Sequence, residues 1–142
     1  YFPGLMAGDC FSGHFHVSKS TGRRAMMLGC PVMVDEEVVG GVGASIYLDA
    51  LGEMIGESMG LDNNSVFIII NSDSMTVISS DNTDDFTYVL DMGSESLVLA
   101  AIQIFAGESG ETSYTYDGKR RQIAWTRDKD TGWYFVYGDI EK

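Results

Sequence analysis

Residues 31–51 read PVMVDEEVVGGVGASIYLDAL. Val32-Met33-Val34 is an apolar run that enters the acidic triplet Asp35-Glu36-Glu37, and Val38 to Leu48 follows as a second extended run. Apolar segments on either side of a short polar break spell strand, tight turn, strand. Asp49 stands at an N-cap position ahead of Leu51, Met54 and Ile55, whose spacing is helical. Gly40, Gly41 and Gly43 leave little bulk on part of the second strand. Another element or a ligand can approach the backbone closely there.

Outward from this segment the chain alternates short strands with two helices. Phe11 to Val17 is an alternating strand, with Phe11, Gly13, Phe15 and Val17 on one face and Ser12, His14 and His16 on the other. Ser18 to Gly22 forms a turn, and Arg23 to Val34 is the next strand, expected to break or bulge near Gly29-Cys30-Pro31. The helix from Asp49 stops at Gly60. Ser65 to Asn71 reads as a buried strand, and Met75 to Ser80 returns beside it after the turn at Asn71-Ser72-Asp73-Ser74. Ser94 is placed to cap a helix over Glu95 to Phe105, which Gly107 ends. Strands follow at Thr112 to Tyr116, Arg120 to Arg127 and Trp133 to Tyr137, the first two joined at Asp117-Gly118. The sum is an α+β fold, an antiparallel sheet flanked by short helices.

At 142 residues the chain is expected to form one domain, with about two thirds of its unfolded surface buried. Hydrophobic content of 44% excludes a disordered chain, and a net charge of −12 disfavours nucleic acid as a partner. The most apolar run, Val66 to Ile70, has the length of a strand and not of a membrane span. With Tyr1-Phe2-Pro3 at its start and no initiator Met, the sequence reads as a fragment excised from a longer protein.

Cys10 and Cys30 lie symmetrically about Ser20, so a hairpin over 11–17 and 23–30 brings them near each other. One reading is a disulfide closing about twenty residues, worth roughly 3 kcal/mol, in an oxidising compartment outside the cytoplasm. The other is two separate buried thiols, since a one-residue slip turns the side chains to opposite faces.

Several segments in this order resemble a Cache domain, the extracytoplasmic PAS-like sensor module of chemoreceptors and sensor histidine kinases. Tyr1-Phe2 resembles the family's aromatic pair before a short helix. VSKSTG, within Gly8 to Gly22, is similar to its S-x-x-T-G turn, and Cys30-Pro31-Val32 to its "PV/PI" strand. VVGGVGASIYLDAL resembles "vvGvvgvDisLdxL", VFIIINSDSMTVISSD resembles "fiid-x-x-G-x-iahpd", and Thr131-Gly132-Trp133-Tyr134 resembles the closing "tgW". The chain departs in three places. It lacks the family's long first helix, it carries Ser45 where amine-binding members have Asp, and Asn71-Ser72-Asp73-Ser74 replaces the D-x-x-G turn. A hydroxyl cannot neutralise an ammonium group as a carboxylate does.

The resemblance implies a domain that binds a small molecule outside the cytoplasm and passes a shape change to a signalling partner. Its parent would be membrane-anchored, and pairing of copies would use the missing helix. The ligand-binding residues expected are Tyr1, Phe2, Met26, Ser45 and Tyr47, with the segment from Tyr1 to Met6 closing over the sheet face that carries Ser45 and Tyr47. Ser45 and Tyr47 share a strand face, and Met26 or Met27 would supply an adaptable apolar wall. A carboxylate is one ligand class to consider. The alternative is a membrane-proximal module that relays a signal without binding anything.

Other clusters point to less. His14 and His16 could begin a metal site but need further ligands; two exposed histidines on a hairpin are the simpler reading. Asp81, Asp84 and Asp85 lack the alternating spacing of a calcium loop, and Gly40-Gly41-Val42-Gly43 has no following Lys-Ser/Thr to make a phosphate loop. No nucleophile and base are placed as a pair, and no cofactor motif occurs, so the expectation is a binding domain and not an enzyme. Lys119-Arg120-Arg121 is a short basic cluster, expected to pair with nearby acids, with a bound anion as the alternative.

Overall fold

A computed structural model describes residues 2–80 and 86–142, with Phe2 described in its backbone only. The backbone divides into two compact units, Tyr1–Leu51 and Gly52–Lys142. The strands form two antiparallel sheets, of three and five strands, with short helices, the α+β fold expected.

The first unit opens with a short helix, α1 (Phe2–Met6), followed by β1 (Phe11–Val17), β2 (Arg24–Val34) and β3 (Glu37–Tyr47) in a meander of order β1-β2-β3. The β2–β3 turn places Asp35 and Glu36 at φ 49° and 67°. Both central residues are left-handed, as the right-handed twist of a two-residue hairpin demands. β2 runs continuously through Pro31, and of the expected break or bulge there is a register shift against β3 between Val32 and Met33, just beyond it. The β1 ladder ends at Phe11↔Gly29, so Pro31 lies where β2 is an edge on that side and loses no β1 bond.

The alternation expected for β1 is corrected by a bulge. Phe11 opposes Gly29 and His14 opposes Met27, so β1 spends three residues where β2 spends two. The extra residue falls at Ser12-Gly13, with Gly13 at φ 81°. The bulge turns Phe11 onto the face of His14 and His16, away from Phe15. Cys10 and Cys30 follow the opposed pair Phe11↔Gly29 and are joined by a disulfide.

The helix α2 (Leu48–Met59) begins one residue before the expected cap. Asp49 lies in its first turn, because its carboxylate is engaged by Arg23 at 2.7 and 2.9 Å.

In the second unit β4 (Ser65–Ile70), β5 (Thr76–Ser79), β6 (Ser109–Tyr116), β7 (Lys119–Arg127) and β8 (Tyr134–Ile140) order as β5-β4-β8-β7-β6. The helix α3 (Glu95–Ala106) packs on one face, burying Leu97, Ala100, Ala101 and Ile104 against Val66, Ile70, Ile123, Trp125 and Val136. Ser94 caps it by accepting from the Leu97 N–H at 3.2 Å, and its hydroxyl also donates to the Thr115 carbonyl. Asp117-Gly118 turns β6 into β7 with both residues at positive φ. Two glycines fix spacing here. A Cβ on Gly138 would overlap the Gln122 carbonyl, and one on Gly110 would strike the Trp125 ring.

Candidate functional site

In the first unit, residues opposed across the ladders share a face. One face therefore carries, row by row, His16–Ala25–Tyr47, His14–Met27–Ser45, Phe11–Gly29–Gly43 and Pro31–Gly41. Its two ends differ in chemistry. At the glycine end β3 presents only Gly41 and Gly43, and the Phe11 ring lies on the bare backbone of Gly29 in β2. Helix α1 covers this shelf, with Leu5 Cδ1 3.6 Å from where a Cβ on Gly41 would stand. Between helix and shelf lies a cavity of about 280 Å³, walled by Leu5, Met6, Phe11, Met27 and Val38 and floored by Gly29, Gly41 and Gly43. The lining is almost wholly apolar.

The other end is polar. Met27, a cavity wall, has His14 on one side and Ser45 on the other in register. The His14 and His16 rings stack at 6.3 Å and 19°, and His16 Nδ1 is shielded from solvent with no hydrogen-bond partner. The Arg23 guanidinium lies 3.9 Å over the Tyr47 ring and forks onto Asp49. The hydrogen bond from Arg23 holds the Asp49 carboxyl below its ordinary range, and the same bond raises Arg23. Asp49 is thus spoken for and offers no free carboxylate to a ligand.

Of the residues expected at a site, Ser45 and Tyr47 do share this face. Tyr1 lies outside the described residues, and of Phe2 only the backbone, in α1, is described. Met26 is opposed to Ile46 and points from the other face; Met27 stands where Met26 was expected. The strand parity of β2 decides this, because only odd-numbered residues join Ser45 and Tyr47. Leu5 and Met6 belong to the segment Tyr1 to Met6 that was expected to close over this face, whereas Phe11 was not anticipated as lining. For Phe11 the signal was Gly13, a glycine inside a strand pattern. No group of three metal-ligating side chains gathers at the histidines among the described residues. Asp81, Asp84 and Asp85 fall outside them.

The second unit has an open, shallow groove of about 570 Å³ on the outward face of β6-β7-β8, lined by Glu111, Ser113, Arg120, Gln122 and Tyr137. Beneath α3 its core encloses only about 20 Å³. That is room for about one water molecule.

No family model matches the chain, and no curated protein matches it in sequence. Solved structures do. The ligand-binding domain of the Pseudomonas fluorescens chemoreceptor CtaA, in complex with L-isoleucine, superposes at a TM-score of 0.69 with 16% identity, covering 99% of this chain and 56% of that one. The extracellular domain of the proposed histidine kinase soHK1S-Z6 gives 0.72 and 14%, covering 96% and 50%. The ligand-binding domain of the Pseudomonas aeruginosa chemoreceptor PctC, in complex with GABA, gives 0.66 and 15%, covering 98% and 59%. The chain has the Cache-type fold. At this identity the likeness is one of architecture, and the chain spans about half the length of the solved domains. Within the Cache-type fold, no helix among the described residues is long and apolar enough to cross a membrane.

Proposed function

We propose that this chain belongs to the extracytoplasmic sensing region of a membrane-anchored receptor, and that it binds a small molecule on the β1-β2-β3 face beneath α1. The observation that carries the proposal is the cavity of about 280 Å³ between α1 and the glycine shelf. Its size is near the lower end for small-ligand pockets, about 300 Å³, and suits a molecule with a short apolar part. His14, Ser45 and Tyr47, adjoining along the same face, offer a hydroxyl, a phenol and an imidazole to a polar group.

Fold likeness to CtaA and PctC, solved with L-isoleucine and GABA, supports a ligand of this size. Ser45 carries no charge, and Asp49 is held by Arg23, so no free carboxylate on this face favours an amine. Neutral molecules and carboxylates fit better. A ligand would act through its differential affinity for two conformations, and α1 is the element placed to differ between them. The role is recognition, with no catalytic group assembled on the face. For the second unit, the filled core beneath α3 favours the relay reading, in which that unit transmits without binding an organic ligand there.

The test is a thermal-shift and calorimetric screen of amino acids, carboxylates, amines and neutral amides. Saturation at a hundredfold excess over Kd should add about 2.7 kcal/mol. Gly41→Val fills the cavity from its floor, where a Cβ meets only Leu5 and the Cys30 carbonyl at ordinary distances. It should abolish binding while the fold persists. Binding that survives Gly41→Val and Tyr47→Ala alike would place the site elsewhere.

A further inference from the structure

Both histidines of the chain, His14 and His16, stand on β1. Two residues apart on a strand, they point to one face. Their ring centres lie 6.3 Å apart, with the planes 19° from parallel. The ladder to β2 sets His14 against Met27 and His16 against Ala25. Directly opposed residues have Cβ atoms about 5 Å apart, so the Met27 thioether adjoins the pair. His16 Nδ1 is shielded from solvent and has no hydrogen-bond partner. A nitrogen so placed is costly to leave unmet, and a neutral imidazole nitrogen is also a lone pair for a metal.

The donors that are missing decide which metal. Cys10, the thiol closest in sequence, is bonded to Cys30. No third histidine, cysteine, aspartate or glutamate joins the pair among the described residues. Zinc, which takes three or four such ligands from a protein, is therefore poorly served, and so are calcium and magnesium, which take oxygen. A monovalent d10 ion needs only two imidazoles in line, and a thioether is a soft donor that favours it. Two metal–nitrogen bonds of about 2 Å laid in line span about 4 Å. Rings with centres 6.3 Å apart meet that span by turning their nitrogens toward each other. A net charge of −12 draws cations to the chain.

We propose that His14 and His16 form a site for a soft monovalent metal ion, copper(I) or its analogue silver(I), with the Met27 sulfur beside it. The site stands on the β1–β2 ladder. It does not rest on a small molecule occupying the cavity beneath α1.

Silver(I) nitrate is the probe, because it needs no reductant that would open the Cys10–Cys30 bond. Calorimetry of the whole chain in chloride-free buffer should show one tight site, above any weaker binding at the exposed Met6, Met33, Met54 and Met59. In heteronuclear NMR the ring signals of His14 and His16 and the methyl signal of Met27 should move together and saturate. Zinc(II) at the same concentration should not reproduce this. His14→Gln, at an exposed position, should weaken the tight site by at least about tenfold, the least that losing a direct ligand should cost. Met27→Leu keeps the volume, removes the sulfur and should weaken it too. Gly41→Val should leave silver binding intact, which separates this site from the cavity beneath α1. Tight binding that survives either substitution, ring signals that silver does not move, or equal displacement by zinc overturns the proposal and leaves the histidines as a stacked pair on a hairpin.

Discussion

Replacing Cys10 and Cys30 together by alanine should cost the first unit roughly 3 kcal/mol. The bond closes a loop of 20 residues that contains β1, its turn and the first half of β2. In the chain-entropy model a loop of that length removes about 11 cal/mol/K from the unfolded ensemble, or roughly 3.3 kcal/mol at 25 °C. Three strands and a five-residue helix bury little that is fully shielded; among the described residues Ala25 and Leu48 are the fully buried apolar side chains there. The cross-link is therefore a large share of what holds this unit together. Urea unfolding of the double variant against the oxidised parent is the assay. With an m-value of about 1.5 kcal/mol/M the midpoint should fall by about 2 M. Amide exchange should localise the loss to Phe11–Tyr47 and spare β4, β7 and β8. An unchanged midpoint, with the bond verified in the parent, would refute the loop argument. Loss of protection spread evenly along the chain would refute its assignment to one unit.

Gly138→Ala should be the most damaging single methyl in the second unit, because the new Cβ overlaps the Gln122 carbonyl and backbone cannot yield as a side chain can. A loss of about 3 kcal/mol is expected, read as a lowered Tm. Acid should also weaken the protein. Asp49 is held low first by its hydrogen bond from Arg23, Asp62 by the Asn64 N–H, and Asp128 by the Thr131 hydroxyl. Each folded-state pKa lies below its unfolded one. Their contributions are therefore complete above the usual carboxylate range, about pH 4, and disappear as pH falls through the depressed values. Asp49→Asn should flatten the pH dependence of urea midpoints below pH 4, and an unchanged slope would count against the Arg23 assignment.

Much of the fold was legible because local chemistry and global structure agree. The Asp35-Glu36 and Asp117-Gly118 hairpins, the Ser94 cap and the Gly107 stop all carry their own short-range signals. What escaped had non-local causes. Gly13 looked like one more small residue in an alternating strand, yet its positive φ makes a bulge that moves Phe11 to the other face. Met26 and Met27 are indistinguishable by composition, and only the register with Ser45 selects Met27. Asp49 reads as a cap until Arg23, 26 residues earlier, claims its carboxylate.

The β2–β3 hairpin continues past the last β1 pair as an arm, and its side chains at Val32, Met33, Val34, Val39 and Val42 are 44–63% exposed. An arm of this kind is a template for adding a foreign strand, because its edge amides and its apolar side chains are offered together. The sequence places its gatekeepers there: Pro31 on the edge, and Asp35, Glu36 and Glu37 around the tip. Those charges repel a second arm only over a Debye length of about 8 Å at physiological ionic strength. In concentrated salt the guard is screened, so association of copies through this arm should rise with ionic strength, as light scattering would read.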